Sequence, residues 1–224
     1  NTEELLENRM NIELEQNGIK PTKVYSKNVD VNKVNRTKIL ELIENGNKHK
    51  TYNSSIKYEC IPEKELQYLL NKINKDCPAK DKLLLAVNAQ VILIKNINID
   101  KGLVNGSRGI ITNISDTFIT VKFLNSKEEQ IFISKWTIKE GKYQITKLQF
   151  PLKLAYALTI HKSQGTTIDF VETDISNNSI FEYGQVYTVL SRCKSLNGLK
   201  INKFDKEAIK THPKVLEYYN TLEE

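Results

Sequence analysis

A chain of 224 residues is long enough for one medium domain carrying a smaller second one, and its 39% hydrophobic and 27% charged residues are ordinary for a globular protein. No apolar run approaches the roughly 20 residues of a membrane-spanning helix, so no membrane partner is expected. The net charge of +6 leans toward a polyanionic partner, although a surplus of Lys beside abundant Asn and Ile is also what an A/T-rich coding sequence produces.

Cys60, Cys77 and Cys193 are far apart and in no C-x-x-C spacing, which excludes a disulfide framework and a zinc ribbon and fits a reducing compartment. His49, His161 and His212 are equally scattered, and no metal site is expected from them. The chain starts at Asn1 with no charged-then-apolar leader, and so reads as an excised piece of an intracellular protein that is not secreted.

In chain order, Thr22 to Tyr25 form a short β-type run, and Asn28 is placed to cap a helix that continues through Val31, Val34, Ile39 and Ile43 to a stop at Gly46. Pro62 opens a second helix, Leu66 to Ile73, which ends before Pro78. From Lys82 to Lys147 the pattern changes to short β-runs, at Gln90–Ile94, Arg108–Ile114, Phe118–Phe123 and Gln130–Ile133. Ile119, Val121 and Phe123 alternate with Thr120 and Lys122, the period of a strand with one wet face, and Asn105-Gly106 and Ser115-Asp116 supply turns. After Pro151 the helical period returns, apart from a strand near Phe170–Asp174. The expected fold class is therefore α/β, with residues 1–81 and 149–224 forming one discontinuous domain and residues 82–148 a small β-barrel inserted into it.

Two stretches carry the chemistry. Leu154, Ala157, Leu158 and Ile160 give one apolar side of a short predicted helix that Gly165 terminates, crowding His161, Lys162, Ser163 and Gln164 at its end. Such a group is either a phosphate-contacting edge or a solvated helix end, and a helix C-terminus by itself repels anions. In the second stretch Gln185, Thr188 and Arg192 fall at i, i+3 and i+7 on one helical face, with Val186, Val189, Leu190 and Cys193 on the buried one. Arg192 is then either one half of a surface salt bridge or a rigidly mounted fork for a phosphate. Asn105-Gly106-Ser107-Arg108-Gly109 lacks the Lys-[Ser/Thr] ending of a phosphate loop, and no Gly-x-x-x-x-Gly-Lys-[Ser/Thr] occurs anywhere. It reads as a barrel turn whose Arg108 touches a nucleic-acid backbone.

These stretches together resemble the PIF-type, RecD-like branch of superfamily-one DNA helicases, over nearly the whole chain. Lys20-Pro21-Thr22 through Tyr25, Asn28, Val31 and Asn35 are similar to its fourth motif. Ala89-Gln90-Val91 and Leu103 through Gly109 are similar to its barrel signature, Ala155 through Gly165 to its fifth motif, and Gly184-Gln185-x-Tyr187 with Leu190-Ser191-Arg192 to its sixth. The sequence departs from the pattern at Thr188-Val189, at Ile92 and at Asn88, where Gly is usual.

The resemblance implies a second RecA-like (P-loop NTPase-type) domain with an SH3-like barrel insertion, taken from an ATP-dependent DNA helicase that moves 5′ to 3′ on single-stranded DNA. It implies that Arg192 is the arginine finger and that Gln164, Gly165 and Gln185 lie by the nucleotide. Thr159, His161 and Lys162 would face the single strand, with Asn105 and Arg108 on the barrel near its path. The cofactors are ATP and Mg2+, whose phosphate loop and acidic ligands belong to an N-terminal RecA-like domain outside this chain, so the chain alone is expected to be inactive. The alternative is a non-catalytic single-stranded nucleic-acid-binding or scaffolding module; a third reading is a barrel that docks a protein partner.

Overall fold

A computed structural model describes residues 2–10, 12–163, 165–180 and 182–222, with the side chains of residues 2, 28, 29 and 162 left aside. The chain runs α1 (Thr2–Glu7), β1 (Thr22–Tyr25), α2 (Asn28–Glu44), β2 (His49–Asn53), β3 (Ser55–Tyr58), α3 (Glu63–Asp76), β4 (Lys82–Ala86), β5 (Gln90–Leu93), β6 (Arg108–Ile114) and β7 (Phe118–Phe123). It continues through β8 (Glu128–Phe132), β9 (Ser134–Glu140), β10 (Tyr143–Gln149), β11 (Leu152–Leu154), β12 (Ala157–Thr159), α4 (Ile160–Ser163), β13 (Val171–Ile175), α5 (Gln185–Leu190), β14 (Leu199–Phe204) and α6 (Pro213–Asn220). Among the described residues no helix is long and apolar enough to cross a membrane.

Residues 1–37 and 155–224 form one compact unit, built on a sheet ordered β12-β1-β13-β14 in which every pairing is parallel. The fold is thus mixed α/β with a parallel sheet. Two side chains of the fourth-motif stretch fasten it together. Thr22 Oγ1 donates to the Ala155 carbonyl at 2.9 Å, while Asn35 Nδ2 donates to the Ala157 carbonyl at 2.8 Å and its Oδ1 accepts from the Tyr156 and Ala157 amides at 3.2 Å. Asn35 therefore completes the hydrogen bonding of β12 as a further strand would.

The helix expected over Leu154–Ile160 is instead β11, β12 and then the single turn of α4. All three residues of β12 are buried, and a parallel strand covered on both faces is apolar without alternation, so the spacing of its large residues imitates a helical stripe. Gly165 does take a left-handed conformation, φ +74°, just beyond α4.

Residues 38–154 form the second unit, so the excursion starts and ends outside the expected 82–148. Strand pairing is the reason: β2 pairs with β4 and β3 with β10, drawing residues 49–58 into the same unit as the later strands. An antiparallel sheet ordered β11-β5-β6-β7-β8 encloses the larger core, with Ile119, Val121 and Phe123 buried on one side of β7 as their alternation requires. Tyr52 joins that core edge-on to Phe150, ring centroids 4.7 Å apart, and donates its hydroxyl to the Ser115 carbonyl at 2.6 Å; burial pushes the phenol pKa up to about 12. Asn88 sits at φ +66°, a left-handed position that Gly occupies without cost and Asn tolerates, which accounts for this departure from the family pattern.

A smaller antiparallel sheet, β3-β10-β9, carries α3 on one face through Leu69, Ile73 and Ile145. On its β10 strand Lys147 is buried with its Nζ 2.6 Å from Asp81 Oδ1, and the hydrogen bond from Lys147 holds the Asp81 carboxyl below its ordinary value. A depressed carboxylate stabilises the fold above the usual carboxylate range, and the contribution is lost as pH falls through the folded-state value. Asp81→Ala strands the buried ammonium and is expected to cost about 1–3 kcal/mol at neutral pH, whereas Lys147→Met, which removes that charge, costs less. Urea melts of both variants from neutral to acid pH check this, with a flatter acid limb in each.

Candidate functional site

The fifth- and sixth-motif segments lie side by side in the first unit, joined by backbone. The Ile168 amide donates to the Arg192 carbonyl at 2.8 Å and the Lys194 amide to the Ile168 carbonyl at 3.0 Å, a short parallel bridge between segments that are distant in sequence. Side chains add two more ties. His161 Nε2 lies 3.6 Å from a Glu182 carboxylate oxygen, and Lys194 Nζ lies 3.4 Å from Asp169 Oδ1.

Arg192 stands just past the end of α5, in a turn where its amide donates to the Val189 carbonyl at 3.0 Å and the Cys193 amide to that of Leu190 at 3.1 Å. The expected seven-residue spacing on one helical face is therefore broken after Leu190. What holds the arginine is the tightened turn and the Ile168 bridge. Its Nη2 donates to Ser191 Oγ at 3.1 Å, while its Nε is buried and has no hydrogen-bond partner among the described residues. A buried guanidinium N–H without an acceptor costs on the order of 1–3 kcal/mol, a cost that an arriving oxyanion cancels. The donor set at Arg192 therefore fits a phosphate of ATP. Among the described residues no three His, Cys, Asp or Glu side chains gather to hold an ion.

The other expected site residues divide by exposure. His161, Gly165 and Asn105 are exposed, the last in a turn where its amide donates to Asn96 Oδ1 at 2.8 Å. Gln185 is buried instead: its Oε1 accepts from the Glu182 amide and its Nε2 donates to the Glu182 carboxylate, both at 3.3 Å, closing the turn that starts α5. Thr159 at 2% exposed and Arg108 at 1% are buried, where exposed strand-facing side chains were expected. Thr159 belongs to the fully covered β12, and Arg108 opens β6 on the face it shares with Ile110 and Ile92, opposite core residue Ile111, where it is nevertheless covered. Ser163 is buried too, donating to the Ile160 carbonyl at 2.6 Å, so the crowded helix end reduces to His161 among the described side chains. Gln164 and the side chain of Lys162 lie outside the described residues. Glu182, which contacts both His161 and Gln185, was missed; its place three residues before Gln185 was the available signal.

Residues 68–114 match the family described as DNA helicase Pif1, 2B domain. Over 211 residues, 92% of this chain and 31% of the relative, the sequence is 36% identical to the human ATP-dependent DNA helicase PIF1. The chain is a Pif1-type helicase segment. It spans about a third of the length of the curated relatives it matches, 32% for the Xenopus laevis protein and 31% for the human one. Bacteroides sp Pif1 in complex with ADP-AlF4 superposes with a TM-score of 0.76 at 27% identity, covering 99% of this Pif1-type chain and 49% of that one. Bacteroides Pif1 bound to ssDNA gives 0.63 at 28% identity, covering 97% and 49%.

Proposed function

We propose that the protein containing this chain is an ATP-dependent DNA helicase that moves 5′ to 3′ along single-stranded DNA, and that Arg192 completes its nucleotide site. The buried, partnerless Nε of Arg192 carries this reading. The relatives are named ATP-dependent DNA helicases, and among the solved Pif1 structures one is titled with ADP-AlF4 and another with ssDNA.

ATP supplies the phosphoryl group whose transfer drives movement, and it would lie between the first unit and a RecA-like domain outside this chain. Arg192 would turn its fork to the developing charge on the γ-phosphoryl group, the role the resemblance implies for it. Because the Arg192 carbonyl is bonded to the Ile168 amide, a shift of the guanidinium moves the segment that follows Gly165. His161, exposed in α4 just before that segment, would meet the single strand, so the bridge would couple nucleotide state to grip on DNA. Glu182, 3.6 Å from His161, orients it. Asn105, exposed at its turn in the second unit, would contact nucleic acid there, and the β11-β5-β6-β7-β8 sheet would be the SH3-like insertion.

The full-length protein is expected to separate a duplex carrying a 5′ single-stranded tail when ATP is present, and to leave a 3′-tailed duplex paired. Equal activity on both tails overturns the polarity; none on either overturns the motor and favours a binding module.

A further inference from the structure

The β3-β10-β9 sheet has a second face, opposite α3. Strand alternation puts Ile56, Ile145 and Ile138 on the α3 side, and Lys57, Gln144, Thr146, Lys135, Thr137 and Lys139 on the other. Register lines these up across the sheet: Lys57 opposite Thr146, Thr146 opposite Thr137, Gln144 opposite Lys139 and Leu148 opposite Lys135. Apart from half-buried Thr146 and Leu148, the residues of this face are exposed. Thr137 and Thr146 hydroxyls meet at 3.0 Å, and none of the three lysines has an ion-pair partner among the described residues. One carboxylate, Glu59, lies at the rim just past β3.

Three unpaired cations with hydroxyl and amide groups between them fit a polyanion that offers regularly spaced oxygens. Lys135 and Lys139 are four residues apart on one strand, about 13 Å, and Lys57 lies two strands away, about 10 Å, which is the scale of a few phosphates on one backbone. The face has no aromatic side chain. Trp136, Tyr143 and Tyr58 alternate onto the α3 side, so single-stranded bases would find nothing to stack on. A duplex keeps its bases stacked internally and presents phosphate alone to such a surface.

We propose that this face holds the phosphate backbone of duplex DNA, through Lys57, Lys135 and Lys139 with Thr137, Thr146 and Gln144. The proposal rests on the helicase reading, since a motor that separates strands meets a duplex ahead of the single strand it tracks. It gives the second unit a grip of its own on the duplex.

The test is fluorescence anisotropy of the 224-residue chain on a blunt DNA duplex and on an oligo-dT strand over a range of salt concentrations. Replacing Lys57, Lys135 and Lys139 together by Gln is expected to weaken duplex binding at least about tenfold and to lower its salt slope by about 2–3, with oligo-dT binding unchanged. A matched triple Gln variant at Lys64, Lys75 and Lys127, exposed elsewhere in the same unit, keeps duplex binding within about twofold. Circular dichroism confirms that both variants fold. Unchanged duplex affinity, an equal loss on oligo-dT, or an equal loss in the matched variant each overturns the proposal. Those outcomes leave the tailed-duplex unwinding result untouched, so the two readings fail separately.

Discussion

Arg192→Ala in the full-length protein is expected to lower DNA-stimulated ATP turnover on the order of a thousand-fold while nucleotide affinity changes only a few-fold. The split follows from where the guanidinium acts. In the resting site its Nε is buried and without an acceptor, so this N–H gains its full hydrogen bond only when an oxyanion reaches it. A contact made mainly as charge develops appears in kcat and little in ground-state binding. Arg192→Lys should recover little, because one ammonium cannot reproduce a fork held at the turn by Ser191. Steady-state ATPase assays with saturating single-stranded DNA, beside equilibrium binding of a fluorescent nucleotide, separate the two quantities. Turnover within a few-fold of wild type would remove Arg192 from the chemistry, and a parallel loss of binding would make it a ground-state anchor.

What could be read from the sequence depended on whether local pattern and tertiary environment agreed. The wet-faced strand β7 was legible to the residue, because one side is exposed enough for alternation to survive, whereas β6 shows its bounds but loses its alternation at the irregularity between Ile111 and Asn113. Likewise α3 announced itself through Pro62 and an apolar stripe that α3 buries against β9 and β10. β12 was misread for the opposite reason: with both faces covered, nothing polar marks its period. In β9 and β10 the exposed positions hold Lys, Thr and Gln, and one buried position holds Lys147, so hydrophobic pattern alone could not find them. Residues 49–58 join the unit of the later strands because β3 finds its partner in β10, a pairing that no local signal between Ser55 and Tyr58 encodes.

The candidate site divides the same way. Arg192, Gly165 and His161 came from motif spacing; the structure places Arg192 just past α5 and leaves Gly165 and His161 exposed. Arg108 and Thr159 are both buried, which motif spacing did not indicate, since what covers a strand residue is set by tertiary packing. The bond from Ile168 to Arg192 was not legible, because a backbone hydrogen bond leaves no residue-type signature.

Gly198→Ala should be the most damaging small substitution in the first unit, costing about 3 kcal/mol or more and preventing recovery of folded protein if the unit cannot shift. A Cβ at this position would overlap the Asp169 carbonyl oxygen and stand 3.5 Å from Cys193 Sγ. The first contact is far inside van der Waals distance and involves backbone, which cannot rotate away as a side-chain tip does. Asp169 directly follows Ile168, whose amide and carbonyl make the bridge to Arg192 and Lys194, so relief by moving Asp169 would pull on the bonds that locate the arginine. Close approach, and not a left-handed backbone, is therefore what demands Gly at this site. Urea unfolding of the isolated chain gives the stability loss directly. If the variant remains folded, its oligo-dT affinity and, in the full-length protein, its ATP turnover should both fall, because the bridge that ties them is strained. A variant with wild-type stability would mean that the 168–169 and 192–198 segments do not pack as closely as the structure has them, and the proposed coupling between nucleotide and DNA would lose its physical basis.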